Sequence, residues 1–245
     1  MRRESAEKIV SESLAELAPR FAVLDETALF NQEKVLNAFR KNAVQARHFI
    51  GTTGYGYDDA GRDTLCAVFA DALGAESAVV SPSITAGTQA LALMLFGVLR
   101  PGDLLLSVSG KPYDTLTDVI SGENCGSLKE FGVDFEQIAL KFEGLKPVFD
   151  FEAIEKALKR RFVKAVFVGR SRGYEWRSAV SVGQIGEMIA FVKKISPDTL
   201  VLVDNCYGEF VEKAEPTAVG ADLIAGSLIK NIGGGIAPTG GYIAG

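Results

Sequence analysis

The sequence holds a single histidine and only three cysteines in 245 residues. His48 stands alone, and Cys66, Cys125 and Cys206 are far apart with no CxxC pair, so the ligand clusters that build zinc sites are missing and no metal site is expected. An odd number of unpaired thiols suits a reducing compartment. The first residues, Met1 to Ser5, lead into an amphipathic stretch and not into an apolar signal core, so the sequence reads as cytoplasmic. Long hydrophobic runs are also lacking. Leu91 to Leu99, with Gly97 inside it, falls far short of the ~20 residues that cross a bilayer. Nor is there an excess of positive charge: 26 basic against 31 acidic side chains give a net charge of −5. The one basic cluster, Lys159 to Arg161, follows a helical stretch and reads as a solvated helix end. A nucleic-acid surface is therefore excluded, because phosphate neutralisation needs clustered Lys and Arg.

What is present is the balance of a globular domain, 47% apolar and 23% charged. Apolar residues at helical spacing predict helices over 5–19 and 29–47, an N-terminal helical arm occupying residues 1–50. Residues 51–61 form a loop rich in glycine and tyrosine. Beyond it, helices are expected at 62–73, 87–98, 113–121, 150–160 and 181–194. Strands are expected at 77–81, 103–108, 136–142, 163–168, 199–203, 222–226 and 241–244. Largely apolar strands separated by crossover helices indicate an α/β domain over 51–245, with a mostly parallel sheet flanked by helices. In such sheets ligands bind beyond the carboxyl ends of the strands.

Four segments stand at such ends. In residues 83–89, small residues between a strand and a helix leave backbone N–H groups to hold a phosphate, or Thr85 simply caps the helix. Asp204 ends a strand of apolar residues, where a buried charge needs a partner; otherwise it is a turn residue. Lys230 lies between an apolar strand and a glycine run. A lysine with a desolvated amine can form a Schiff base, although most lysines are solvated. Tyr113 follows the 103–108 strand and can stack on an aromatic ring or pack locally at a helix start. Together these supply what pyridoxal 5′-phosphate requires: a lysine for the aldehyde, an acid for the pyridine nitrogen, a phosphate cradle and a stacked aromatic.

At these residues the sequence resembles the fold-type I pyridoxal phosphate enzymes of the cystathionine- and methionine-lyase group. The resemblance is carried by Val-Asp-Asn at 203–205 and Ser-Leu-Ile-Lys-Asn-Ile-Gly-Gly at 227–234. Residues 54–65, 99–103, 110–115 and 170–174 are similar to the branch called aluminium resistance proteins. The resemblance implies that Lys230 carries the cofactor and Asp204 pairs with its ring nitrogen. Gly87 and Thr88 would hold the phosphate with help from the Ser227 hydroxyl, and Tyr113 would stack on the ring. Tyr55 and Tyr57 match the loop that reaches a neighbouring subunit's phosphate; the group usually has an arginine where Tyr57 stands. Arg170 and Arg172 would bind a substrate carboxylate or pair with acids. The implied activity is carbon–sulfur bond cleavage in an amino acid of cystathionine or methionine type, in a homodimer or homotetramer with shared active sites. The resemblance also implies a smaller C-terminal domain beyond the lysine region, so residues 1–245 are expected to be the cofactor-binding portion of a longer polypeptide or a truncated one.

Three other readings compete. Gly169 to Gly173 fits the G-x-S-x-G pattern of hydrolases, but no helical pattern follows it and the only histidine lies far upstream. The glycines at 233–241 do not form a dinucleotide fingerprint. A non-catalytic pyridoxal phosphate-binding homologue with a regulatory or metal-resistance role remains the principal alternative.

Overall fold

A computed structural model of the protein describes residues 2–51 and 59–245. Where two N-terminal helices are expected, one continuous helix, α1, runs from Arg2 to Lys41. Pro19 forfeits one i→i−4 hydrogen bond, but residues 20–28 hold no glycine and no second proline, so nothing else stops propagation. The helix ends before 47 because Ala43 turns left-handed (φ 46°). The Asn42 side chain closes that end, donating to the Ala38 carbonyl at 2.9 Å and to Asp71 Oδ2 at 2.7 Å.

The remaining elements follow the expected alternation. They are α2 (Ala60–Leu73), β1 (Ala78–Ser81), α3 (Gly87–Val98), β2 (Leu104–Ser107), α4 (Asp114–Ser121) and β3 (Asp134–Gln137). Then come β4 (Lys141–Glu143), β5 (Lys146–Val148), α5 (Phe151–Arg160), β6 (Ala165–Gly169), α6 (Val182–Ile195), β7 (Leu200–Asp204), β8 (Leu223–Ser227) and β9 (Gly241–Ala244). Seven strands form one sheet in the order β1-β9-β8-β7-β6-β2-β3. β3, β2, β6, β7 and β8 are parallel, whereas β9 runs antiparallel to both β8 and β1.

The single strand expected over 136–142 is two strands. β3 ends at Gln137, Leu140 turns into the core, and β4 pairs with β5 in a separate hairpin. Gly144, at φ 64°, supplies the left-handed residue of its tight turn. Alternating polarity continues through the break, so the pattern alone does not show it.

Side-chain alternation sorts the sheet residues into two cores. Leu104, Leu106, Val166, Val168, Val201, Val203 and Ile224 pack with residues of α2, α5 and α6. Leu105, Phe167, Leu202 and Ala225 pack with α3 and α4 on the other face. Both faces of the central strands are therefore dry, and polar chemistry is confined to the strand ends.

Candidate functional site

The carboxyl ends of β2, β6, β7 and β8 open on a cavity of about 1050 Å³, lined by Tyr113, Arg170, Arg172, Asp204, Cys206, Tyr207 and Lys230 among others. β7 and β8 are neighbours, with Asp204 in register with Ala225, so the acid and the segment that carries Lys230 emerge side by side. Lys230 follows β8 by three residues, and its backbone N–H reaches the Ser227 carbonyl at 3.4 Å.

Asp204 is buried, and its Oδ1 accepts the Cys206 N–H at 3.0 Å. Burial pushes its carboxyl above the usual range, and the nearby Lys230 pulls it back in part. The Lys230 amine is half-buried and sits 4.2 Å above the centre of the Tyr207 ring. Burial pulls that amine down, while Cys206, Asp204 and Tyr207 push it up, and the balance is upward. The Cys206 thiol is itself held far above its usual range by burial and by Asp204. It is therefore neutral at neutral pH. Tyr207 adopts a left-handed backbone (φ 67°) to bring its ring under the amine, a conformation rare for a non-glycine residue.

The start of α3 has the form of an anion cradle. Its N-cap is Ala86, and not Thr85, so the first-turn N–H groups receive no side-chain cap. Thr85 instead bonds Gln89 Oε1 through both its N–H (2.7 Å) and its hydroxyl (2.9 Å). Gly87 lies so close to the end of β8 that a Cβ there would stand 3.1 Å from Ser227 Cβ and 3.3 Å from Cys206 Sγ. Thr88 Oγ1 is 2.8 Å from the Tyr113 hydroxyl, which ties the cradle to the cavity wall. The Tyr113 phenol is pushed up, first by burial and also by Asp204. Lys230, Asp204, Tyr113, Thr88, Gly87 and Ser227 are thus brought together at one strand edge.

Arg170 and Arg172 separate. Arg170 is only 3% exposed, and its guanidinium donates to Asn205 Oδ1 (2.8 Å), the Gly208 carbonyl (2.7 Å) and Glu212 Oε1 (2.6 Å), with Glu215 Oε2 at 3.6 Å. That committed geometry fits pairing with acids and not capture of a free carboxylate. Arg172 is exposed at the cavity rim, and among the described residues it forms no ion pair. Tyr55 and Tyr57 lie outside the described residues.

Sequence reasoning missed Cys206, Tyr207, Glu209 and Glu215. All follow Asp204 within eleven residues, and a strand-end position was the only signal for them. Glu209 is buried, and its Oε1 accepts the Tyr242 hydroxyl at 3.0 Å. Its Oε2 is without a hydrogen-bond partner among the described residues. The hydrolase alternative fails on geometry: Ser171 Oγ accepts the Gly173 N–H at 3.1 Å, and the next helix starts only at Val182. His48 sits in a short 3₁₀ turn after α1, with its Nδ1 accepting the Gln45 N–H at 3.0 Å. Among the described residues, no helix is long and apolar enough to cross a membrane and no cluster of acids, cysteines or histidines could hold a metal.

Comparison with known proteins adds an independent line. Residues 6–245 match the family described as methionine gamma-lyase. The uncharacterized protein YnbB of Bacillus subtilis (strain 168) is 47% identical over 245 residues, covering 99% of this chain and 57% of that protein. A carbon–sulfur lyase involved in aluminum resistance from Clostridium novyi NT is 50% identical at a TM-score of 0.93, covering 99% of this chain and 57% of that one. The chain thus spans little more than half the length of these relatives. An O-acetylhomoserine (thiol)-lyase structure from Campylobacter jejuni, bearing a pyridoxyl-lysine, is 20% identical at a TM-score of 0.59. It covers 76% of this chain and 40% of that one, a likeness of fold alone.

Proposed function

Because the chain belongs to the methionine gamma-lyase family, we propose that it holds pyridoxal 5′-phosphate on Lys230. It would then form part of an enzyme that cleaves a carbon–sulfur bond in an amino acid of cystathionine or methionine type. The observation that carries this reading is an amine and a buried acid in one cavity, with an uncapped helix start tied to the cavity wall through Thr88 and Tyr113.

The residues fit the cofactor. The first-turn N–H groups of α3 suit a phosphate, which the helix dipole also favours. Gly87 leaves room there that a side chain would fill. Asp204 is a buried acid with a raised pKa, so a protonated ring nitrogen would give its carboxylate the partner it needs. When bound, pyridoxal phosphate supplies an electron-accepting ring for the charge left at a substrate Cα.

The chain's own residues account for the rest. Lys230 Nζ would hold the cofactor covalently, and its amine would serve as the base for the Cα proton of a bound amino acid. Asp204 would keep the ring nitrogen protonated, Tyr113 would stack on the ring, and Thr88 Oγ1 holds the Tyr113 hydroxyl at 2.8 Å. Arg172 at the rim is the residue free to meet a substrate carboxylate. The family resemblance further supports assembly as a homodimer or homotetramer with shared sites.

The test is to load the protein with pyridoxal phosphate, record its visible spectrum, reduce it with borohydride and locate the modified residue by peptide mass spectrometry. A visible band with the adduct on Lys230 is the expected result. Adducts scattered over surface lysines would remove the assignment. Cofactor on Lys230 without turnover of any sulfur amino acid would favour a non-catalytic, resistance-related role.

Two substitutions probe the details. Gly87→Ala forces a Cβ into tight contact with Ser227 and Cys206, and overpacking of this kind costs about 1–3 kcal/mol. Cofactor affinity should fall roughly 10- to 100-fold if that strain is borne by the loaded state. Unchanged affinity by spectroscopic titration would show that the cradle is not used. Arg172→Ala should raise KM by about 10- to 100-fold, the loss of a charge-assisted contact, with the melting temperature unchanged. Arg170→Ala should act the other way round. It removes the cation 3.6 Å from buried Glu215, which keeps, among the described residues, only the neutral donors Asn205 Nδ2 and Phe210 N–H, so stability falls by about 3–5 kcal/mol before any kinetic effect can be read.

A further inference from the structure

Just past β7 the backbone turns left-handed at two bulky residues, Tyr207 (φ 67°) and Phe210 (φ 59°). A large L residue rarely adopts that conformation, and it persists only where surrounding contacts over-determine it. Such contacts are present here, and they come from four separate parts of the chain. Arg170, after β6, donates to the Gly208 carbonyl at 2.7 Å. Asn231, after β8, donates through its side chain to the Glu209 carbonyl. Asn31 of α1 donates to the Phe210 and Glu212 carbonyls at 2.9 and 3.1 Å. Glu215 Oε1 accepts the Phe210 N–H at 2.8 Å.

What this arrangement delivers is the Tyr207 ring. The residue is 63% exposed, so burial does not account for its place. It lines the cavity, with the Lys230 Nζ 4.2 Å from its ring centroid. The Asn231–Glu209 hydrogen bond joins the residue after Lys230 to the turn after Tyr207, so amine and ring are held in one relation. Asp204 and Cys206 face the same amine from the end of β7. A lysine amine rides on a flexible four-carbon stem and would otherwise range over an open cavity. An aromatic face attracts the ammonium and narrows that range.

We propose that Tyr207 is a positioning residue, its ring face being the seat in which the charged Lys230 amine rests whenever that amine is free. The seat keeps the amine at the strand edge where Asp204 and Ser227 end β7 and β8, so an incoming aldehyde meets it in one place. That the aldehyde belongs to pyridoxal phosphate rests on the function proposed above; the contact of amine and ring does not.

Labelling of the cofactor-free full chain with acetic anhydride over a pH series, read at Lys230 by peptide mass spectrometry, tests this, with exposed Lys8 as the internal standard. The ring stabilises the ammonium, so removing it releases more of the reactive neutral amine. Tyr207→Leu should make Lys230 about two- to five-fold more reactive at neutral pH, the range that an exposed cation–π contact supplies. The gain should vanish at strongly alkaline pH, where the amine is neutral in parent and variant alike. Tyr207→Phe keeps the ring face and should match the parent protein at neutral pH. Because Tyr207 is largely exposed, both variants should melt as the parent does. A gain of equal size at every pH would show altered access in place of a lost charge contact and overturn the proposal. No gain in Tyr207→Leu, or an equal gain in Tyr207→Phe, would overturn it as well. A borohydride adduct placed elsewhere than Lys230 would remove the function proposed above and leave this result standing by itself.

Discussion

Replacing Lys230 by alanine is expected to abolish the visible band of pyridoxal phosphate-loaded protein and to lower turnover of a sulfur amino acid by about 10³-fold or more. Two functions would be lost together, the covalent attachment and the proton transfer at Cα, and positioned proton transfer alone contributes about 10²–10⁴-fold. The loss should not be one of folding. Lys230 is only half-buried, and its clearest packing partner is the Tyr207 ring at 4.2 Å. Such a contact is worth about 0.5–1 kcal/mol, which moves the melting temperature of a chain this size by about 4 °C at most. The measurement pairs a spectrum and a rate with a melt of the cofactor-free protein. A variant that keeps the band or keeps its rate would show that another residue holds the cofactor.

A large gain in stability that depends on pH is expected from Glu209→Gln. Burial raises the Glu209 carboxyl from its ordinary 4.5 to about 7, and Glu215 and Asp204 add to the rise. The folded protein therefore binds a proton that the unfolded chain has released between these two values. Stability is full below about pH 4.5 and declines as pH rises, until the carboxyl ionises in the fold near pH 7. The decline amounts to about 3 kcal/mol. Glutamine copies the protonated acid, keeps an oxygen for the Tyr242 hydroxyl and cannot ionise. Urea midpoints should then match the parent protein near pH 4 and exceed it at pH 8. Parallel profiles for the two proteins would show that Glu209 ionises like an ordinary carboxylate.

Much of the fold was open to reading from the sequence, because its signals are local. α3 starts and ends where helical spacing places it, and the apolar strands β6, β7 and β8 lie within two residues of their expected bounds. Lys230 and Asp204 were legible for the same reason, each standing just past an apolar strand. Failures came where the decisive contact is distant. The 5–19 and 29–47 patterns are both real, yet whether the chain bends between them depends on propagation through Pro19, and where the helix stops depends on the Asn42–Asp71 contact. The β4–β5 hairpin hides within a pattern whose alternation runs on unbroken.

Arg170 shows the limit most clearly. In sequence it stands two places before Arg172, with the same charge and the same loop. Only the pairing of β6 with β7, which sets Gly169 beside Asp204, brings Asn205, Glu212 and Glu215 around one guanidinium and leaves the other at the rim. The sequence by itself determined the alternation of strands and helices, the strand ends where chemistry gathers, and the residue types gathered there, because periodicity and turn chemistry act over a few residues. Tertiary structure alone decided which of those groups are buried, which are already paired, and which face an open cavity. Burial and charge pairing depend on neighbours that lie tens of residues away along the chain.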